Sequence, residues 1–265
     1  AQVAAGAGYN VILNDLTSDL VCRAIEKLER DLARLVHKGR LEDAAVGELL
    51  SRVKASSDLR DMNEADIIVE AVFEDLETKK QLFSRLDEVC RDGIVLGSNS
   101  SSLSILDLAM VTKRPEAVVG IHFFNPVPLM KGVELVCTIM TSFQTLEAAR
   151  QFSVSLGKET WVAKDAPGFL STRLLIPYLM DAVRLLENGF AKKEDIDTCC
   201  VLSFNYPMGP LALADLIGLD VLLNIADGMY ASFKDARFAA PILLEKMVQA
   251  GQLGRKAGKG FYDYS

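Results

Sequence analysis

The chain has 265 residues, half of them apolar and a quarter charged, with a net charge of −7. This is a globular composition, long enough for two domains with a core each. The acidic balance argues against nucleic acid as the main partner, and with no apolar run of spanning length and no basic, signal-like start, no membrane partner is expected.

Five cysteines, Cys22, Cys90, Cys137, Cys199 and Cys200, are odd in number and form no CxxC pair. They read as reduced thiols of a cytoplasmic protein, or of a mitochondrial-matrix protein in a eukaryote. No metal site is expected, because the two histidines, His37 and His122, lie far apart with no Cys or carboxylate cluster near either.

In chain order, Ala1–Asn10 reads as a small-residue helix closed by Gly6 or Gly8, followed by a strand, Val11 to Asp15. An acidic residue at the tip of a second strand is where a dinucleotide-binding fold holds the adenine ribose hydroxyls. Asp15 is therefore a candidate cofactor contact, or else a turn carboxylate. The glycine fingerprint of that fold is absent, since Gly6-Ala7-Gly8 follows a helix and precedes a strand, the reverse of what phosphate binding requires.

Thr17 or Ser18 caps a helix to about Lys38, with Val21, Ile25, Leu28, Leu32, Leu35 and Val36 at helical spacing. Its end, His37-Lys38-Gly39-Arg40, reads as solvated charge favourable to the helix dipole. A charged helix is expected from Glu42 to Lys54, then a buried strand from Asp66 to Phe73 and an amphipathic helix carrying Leu82, Leu86 and Val89. Loops at the carboxyl ends of strands form the ligand crevice of such sheets, so Glu74 and Lys79 are candidate cofactor contacts, or else helix N-terminal and surface charge. Ile94–Ser98 is a further strand, and Asn99-Ser100-Ser101-Ser102 either caps the next helix or places hydroxyls at the crevice mouth.

The apolar run Ala117–Ile121 ends at His122, and Asn125-Pro126-Val127-Pro128 marks a turn. A second apolar run, Val133–Val136, carries Glu134. Two strands joined by that turn bring Glu134 back beside His122, and a histidine backed by a carboxylate is a general base. The alternative is a core histidine bonded to a backbone carbonyl, with Glu134 a half-buried strand residue. A helix near Thr145–Leu156 and a strand Glu159–Ala163 complete the alternation. Lys164–Gly168 breaks it, giving domains of 1–164 and 165–265.

Beyond that point only helices are expected. The first, 169–188, is apolar on nearly every side and contains Pro177, which predicts a kink and burial against its own domain and a second subunit. Further helices are expected near 192–203, 209–216, 219–234 and 240–250. Leu253–Tyr262 looks like a frayed basic tail.

The segment GIHFFNPVPLMKGVELV resembles the active-site segment of the L-3-hydroxyacyl-CoA dehydrogenase family, in particular its 3-hydroxybutyryl-CoA branch, and the similarity extends over essentially the whole chain. It implies an α/β, doubly wound Rossmann-type domain, here without its first strand and glycine loop, followed by an all-α domain that forms a homodimer. A chain shortened at its N-terminus by about one strand and one turn is the corresponding expectation. The activity implied is NAD-dependent, reversible oxidation of (S)-3-hydroxyacyl-CoA to 3-oxoacyl-CoA. His122 takes the hydroxyl proton, Glu134 stabilises the imidazolium, and Ser101 hydrogen-bonds substrate and cofactor. Asn125 holds the nicotinamide end, Asp15 favours NAD over NADP, and Glu74, Lys79 and Lys256 contact the cofactor. Lys38 falls where relatives place a lysine against the coenzyme A phosphates. The family asparagine after the PGF motif is replaced by Thr172, which lacks a second polar atom. Two alternatives stay open: a relative acting on 3-hydroxyadipyl-CoA or a sugar acid, and a crystallin-like structural descendant with weakened catalysis.

Overall fold

The computed structural model describes residues 1–39 and 41–264, so Arg40 of the basic helix end lies outside the described residues. The chain divides into two compact units, Ala1–Asp165 and the remainder from Ala166.

The first unit alternates helix and strand: α1 (Gln2–Gly6), β1 (Val11–Asn14), α2 (Ser18–His37), α3 (Asp43–Ser51), β2 (Val53–Ser56), β3 (Ile67–Glu70) and α4 (Leu76–Val89) come first. β4 (Val95–Ser98), α5 (Ile105–Ala109), β5 (Val118–Phe123), β6 (Gly132–Cys137), α6 (Phe143–Ser155) and β7 (Glu159–Lys164) follow. Capping marks the helix starts as the sequence suggests. Thr17 Oγ1 accepts from the Leu20 amide, and Asp75 and Ser142 serve α4 and α6 in the same way. The strands form a parallel pair, β1–β2, and a five-stranded sheet in the order β3-β4-β5-β6-β7. β3, β4 and β5 run parallel, β5 and β6 antiparallel, and β6 and β7 parallel. Val119, Ile121, Val133 and Leu135 are fully buried in the sheet core, and Leu32 and Leu49 pack beneath the smaller pair. This is a Rossmann-type unit.

Two expectations are corrected here. The helix expected to Lys54 ends at Ser51, and Val53-Lys-Ala-Ser56 is β2, paired residue for residue with Val11–Asn14. Val53-Lys-Ala-Ser56 alternates apolar and polar over only four residues at the end of a helical run, too short a signal by itself, so pairing with β1 decides it. The strand expected from Asp66 to Phe73 is only Ile67–Glu70, because the Glu70 side chain takes the Val72 amide that would extend the ladder.

The second unit is helical: α7 (Ser171–Glu187), α8 (Lys193–Phe204), α9 (Pro210–Ile217), α10 (Leu219–Phe233) and α11 (Ile242–Gln249), with short 3₁₀ turns between. Leu179, Val183, Leu211, Leu222, Phe238 and Leu244 are its core. α7 continues through Pro177. It is not buried on every side within its own unit, since Leu174 is 67% exposed while Ile176, Leu179, Met180 and Val183 point inward. The C-terminal segment is not frayed. Gly254 bridges to Lys259, and the Asp215 carboxylate accepts from the amides of Phe261 and Tyr262 at 2.9 Å each. Gly260 lies so close to that carboxylate that a Cβ there would collide with it, which is the close approach this glycine-rich stretch serves. No helix among the described residues is long and apolar enough to cross a membrane.

Candidate active site

The first unit gathers its polar side chains at one edge of the larger sheet. β3, β4 and β5 point their carboxyl ends the same way, and those ends carry Glu70, Ser98 and His122. In the antiparallel β5–β6 pair, His122 lies directly opposite Glu134, which places both side chains on one face. His122 Nδ1 and Glu134 Oε2 are 3.0 Å apart, with His122 7% and Glu134 0% exposed. A carboxylate beside Nδ1 favours the tautomer with the ring proton on that nitrogen, directed at Glu134.

Sequence reasoning missed the further groups around this pair. Trp161 on β7 donates its indole N–H to Glu134 Oε1 at 3.3 Å, and Phe124 sits with its ring 4.6 Å from His122 and 5.7 Å from Trp161, centroid to centroid. Asn99 Oδ1 accepts from the Phe123 amide at 2.8 Å, pinning the end of β5 to the serine loop. Nothing marked Trp161 beforehand except that a tryptophan in a short strand needs a partner for its N–H when buried.

Glu74 organises the serine loop. Its Oε1 accepts from Ser100 Oγ at 2.6 Å and from the Ser101 amide at 2.9 Å. Burial alone would raise its pKa, but those donors and the Lys79 ammonium outweigh burial and hold it below the ordinary carboxylate value. Ser101, expected to reach substrate and cofactor, is exposed at the loop, while Ser100 is buried. The surface-charge alternative for Lys79 is corrected: its side chain is 1% exposed, with Nζ 2.6 Å from Glu70 Oε1 and 3.3 Å from Glu74 Oε2. Glu70 in turn accepts from Ser98 Oγ at 2.6 Å, so a buried Ser98–Glu70–Lys79 chain stands behind Glu74. Asn125 is exposed after β5, next to a cis Asn125–Pro126 bond. Lys158 clamps the turn beyond it, donating to the carbonyls of Val127 at 2.6 Å and Met130 at 2.7 Å.

Asp15 is exposed at the carboxyl end of β1, where Oδ1 accepts from the Leu16 amide at 2.7 Å. Lys38 is the exposed C-cap of α2. Thr172 and Lys256 belong to the second unit. Thr172 is half-buried in the first turn of α7, and Lys256 Nζ is paired with Asp220, 2.7 Å from its Oδ2. No cluster of metal-ligating side chains occurs among the described residues.

Residues 1–166 match the 3-hydroxyacyl-CoA dehydrogenase NAD-binding domain, and residues 168–264 match the C-terminal domain of the same enzymes. The chain belongs to the 3-hydroxyacyl-CoA dehydrogenase family. It is 44% identical over 264 residues to a 3-hydroxybutyryl-CoA dehydrogenase of Clostridioides difficile, covering 100% of this chain and 94% of that one. It is 43% identical over 271 residues to the mitochondrial hydroxyacyl-coenzyme A dehydrogenase of Sus scrofa, covering 100% and 86%. Among solved structures, (S)-3-hydroxybutyryl-CoA dehydrogenase from Ralstonia eutropha superposes with a TM-score of 0.96 at 39% identity, over 100% of this chain and 93% of that one. Like other members of the 3-hydroxyacyl-CoA dehydrogenase family, the chain is an NAD-dependent oxidoreductase. The side chains present fit that cofactor: a carboxylate at the tip of β1 suits ribose hydroxyls, and the polar loop edge formed by Glu74 and Ser101 suits a carboxamide.

Proposed function

We propose that the chain oxidises (S)-3-hydroxybutyryl-CoA and similar short-chain substrates reversibly to the 3-oxoacyl-CoA, with His122 as general base. The observation that carries this reading is the buried His122–Glu134 pair, 3.0 Å apart at the crevice edge. Bound NAD supplies the hydride acceptor. His122 Nε2 takes the 3-hydroxyl proton as the C3 hydride leaves, and Glu134, accepting from Nδ1–H, stabilises the imidazolium. Ser101 donates to the reacting oxygen, and Asn125, Glu74 and, through Glu74, Lys79 order the cofactor's nicotinamide end. Asp15 accepts from the ribose hydroxyls and repels a 2′-phosphate. Lys38 at the α2 terminus serves the coenzyme A phosphates. The roles of Thr172 and Lys256 rest on the family resemblance.

The chain acts as a homodimer through its helical unit, which leaves Leu174, Phe190, Leu202 and Phe204 well exposed. Its five cysteines are free thiols, which suits the cytoplasm, or the mitochondrial matrix in a eukaryote.

His122→Ala and Glu134→Gln test the reading. Each is expected to lower kcat with 3-hydroxybutyryl-CoA by about 10²–10⁴-fold while NADH binding, followed by fluorescence, changes little. Wild-type turnover in His122→Ala would remove the dyad. Faster turnover of a free hydroxy acid or of 3-hydroxyadipyl-CoA would move the substrate class.

A further inference from the structure

The carboxyl ends of β3 and β4 carry a closed circuit of polar side chains. Glu70 and Ser98, the last residues of those strands, are registered against each other. Ser98 Oγ donates to Glu70 Oε2 at 2.6 Å and accepts from the Ser100 amide at 3.2 Å. Ser100 Oγ donates to Glu74 Oε1 at 2.6 Å. Lys79 Nζ, 3.3 Å from Glu74 Oε2 and 2.6 Å from Glu70 Oε1, completes the circuit. Lys79 also donates to the Val72 carbonyl at 3.3 Å, so the three N–H bonds of its ammonium are all used within the protein.

Two carboxylates share this one ammonium, so the circuit holds a surplus negative charge. The ammonium is closer to Glu70 than to Glu74, and both side chains of that nearer pair are 1% exposed. Glu74, 38% exposed, is the member that faces solvent, and the surplus stays on it. Burial raises its pKa, yet the Ser100 hydroxyl, the Ser101 amide and Lys79 outweigh burial and keep it anionic. Oxidised nicotinamide is a pyridinium cation and reduced nicotinamide is neutral, so a fixed anion nearby separates the two forms by one unit of charge. We propose that this circuit sets the redox preference of the cofactor site: the Glu70–Lys79 pair cancels internally and leaves Glu74 as a fixed anion that favours the oxidised nicotinamide over the reduced one. The proposal rests on the reading that puts Glu74 at the nicotinamide end, and adds to it a discrimination between the two oxidation states.

Dissociation constants of NAD⁺ and NADH, measured separately on the full chain without substrate by calorimetry and fluorescence, test this. The ratio of Kd for NAD⁺ to Kd for NADH cancels any loosening common to both forms. Glu74→Gln keeps the side-chain shape and removes the charge, and the ratio is expected to rise about three- to tenfold, the effect of one charge across a few ångströms of partly solvated crevice. Glu70→Gln, which leaves the Lys79 ammonium to Glu74 alone, should move the ratio the same way. Ser100→Ala opens the circuit at unchanged charge and should weaken both forms alike, with the ratio at its wild-type value. An unchanged ratio in Glu70→Gln would overturn the cancellation of Lys79 by Glu70. Weaker binding of both forms at an unchanged ratio in Glu74→Gln would overturn the redox preference and leave Glu74 at the cofactor. Wild-type affinity for both forms in that variant would remove Glu74 from the nicotinamide end and overturn both readings.

Discussion

Glu74 shows how a side chain that the sequence offers only as a loop carboxylate becomes a defined group in the fold. Partly buried, it is kept anionic by Ser100, the Ser101 amide and Lys79, which lower its pKa from the ordinary 4.5. In the unfolded chain the same carboxyl takes up a proton more readily. Its contribution to stability is therefore complete above about pH 4.5 and is lost as the pH falls through the lower folded-state value. Glu74→Gln is expected to flatten that acid limb in urea unfolding followed from pH 3 to 6, and a variant curve parallel to wild type would show that the bonds to the serine loop contribute nothing. The Glu70–Lys79 pair behind it is buried on both sides. Such a pair mainly fixes geometry, since desolvation offsets much of its attraction. Lys79 thus has its effect on the crevice through Glu74.

At the level of elements, the β5–turn–β6 hairpin was legible because it carries its own signals: apolar runs of strand length, a Pro-rich break, and one titratable residue in each run. The pairing of His122 with Glu134 follows from that register. β2 was not legible, because an alternation of only four residues at the end of a helical run becomes a strand only beside β1. Nor were Trp161 and Lys158, whose partners lie on other elements and leave no trace in local spacing. The order of the C-terminal segment was hidden for the same reason, since Asp215, which holds Phe261 and Tyr262, is 46 and 47 positions away. Lys158 has a consequence for the element it clamps. Its side chain donates to Val127 and Met130 and so holds the turn that follows Asn125. Lys158→Met is expected to weaken NADH binding about three- to tenfold by loosening that turn, two hydrogen bonds from an ammonium being lost. A fluorescence titration checks it, and unchanged affinity would mean that the turn keeps its shape without the lysine.

At the scale of the whole molecule, the helical unit exposes more apolar surface than its own core requires. Leu174 is one turn before Tyr178 on α7, and Tyr178 meets Tyr206 edge-on at 5.7 Å, which in turn touches Phe204 at 5.9 Å. Phe204 is 60% and Leu174 67% exposed, so these side chains form a connected patch on α7 and the end of α8. Patches of this kind mark an interaction surface, and in a homodimer the same patch serves both subunits about a twofold axis. A charge placed there appears twice across the axis and has no partner. If the proposed homodimer forms through this patch, Phe204→Glu is expected to shift the particle from dimer to monomer mass in sedimentation velocity, and to make the apparent stability of any remaining dimer depend on concentration. The α7–α8 core beneath, with Leu179, Val183 and Ile196 buried, does not involve the Phe204 ring, so helicity by circular dichroism should be retained. A Phe204→Glu variant of unchanged mass would show that this patch is not the contact of the proposed homodimer.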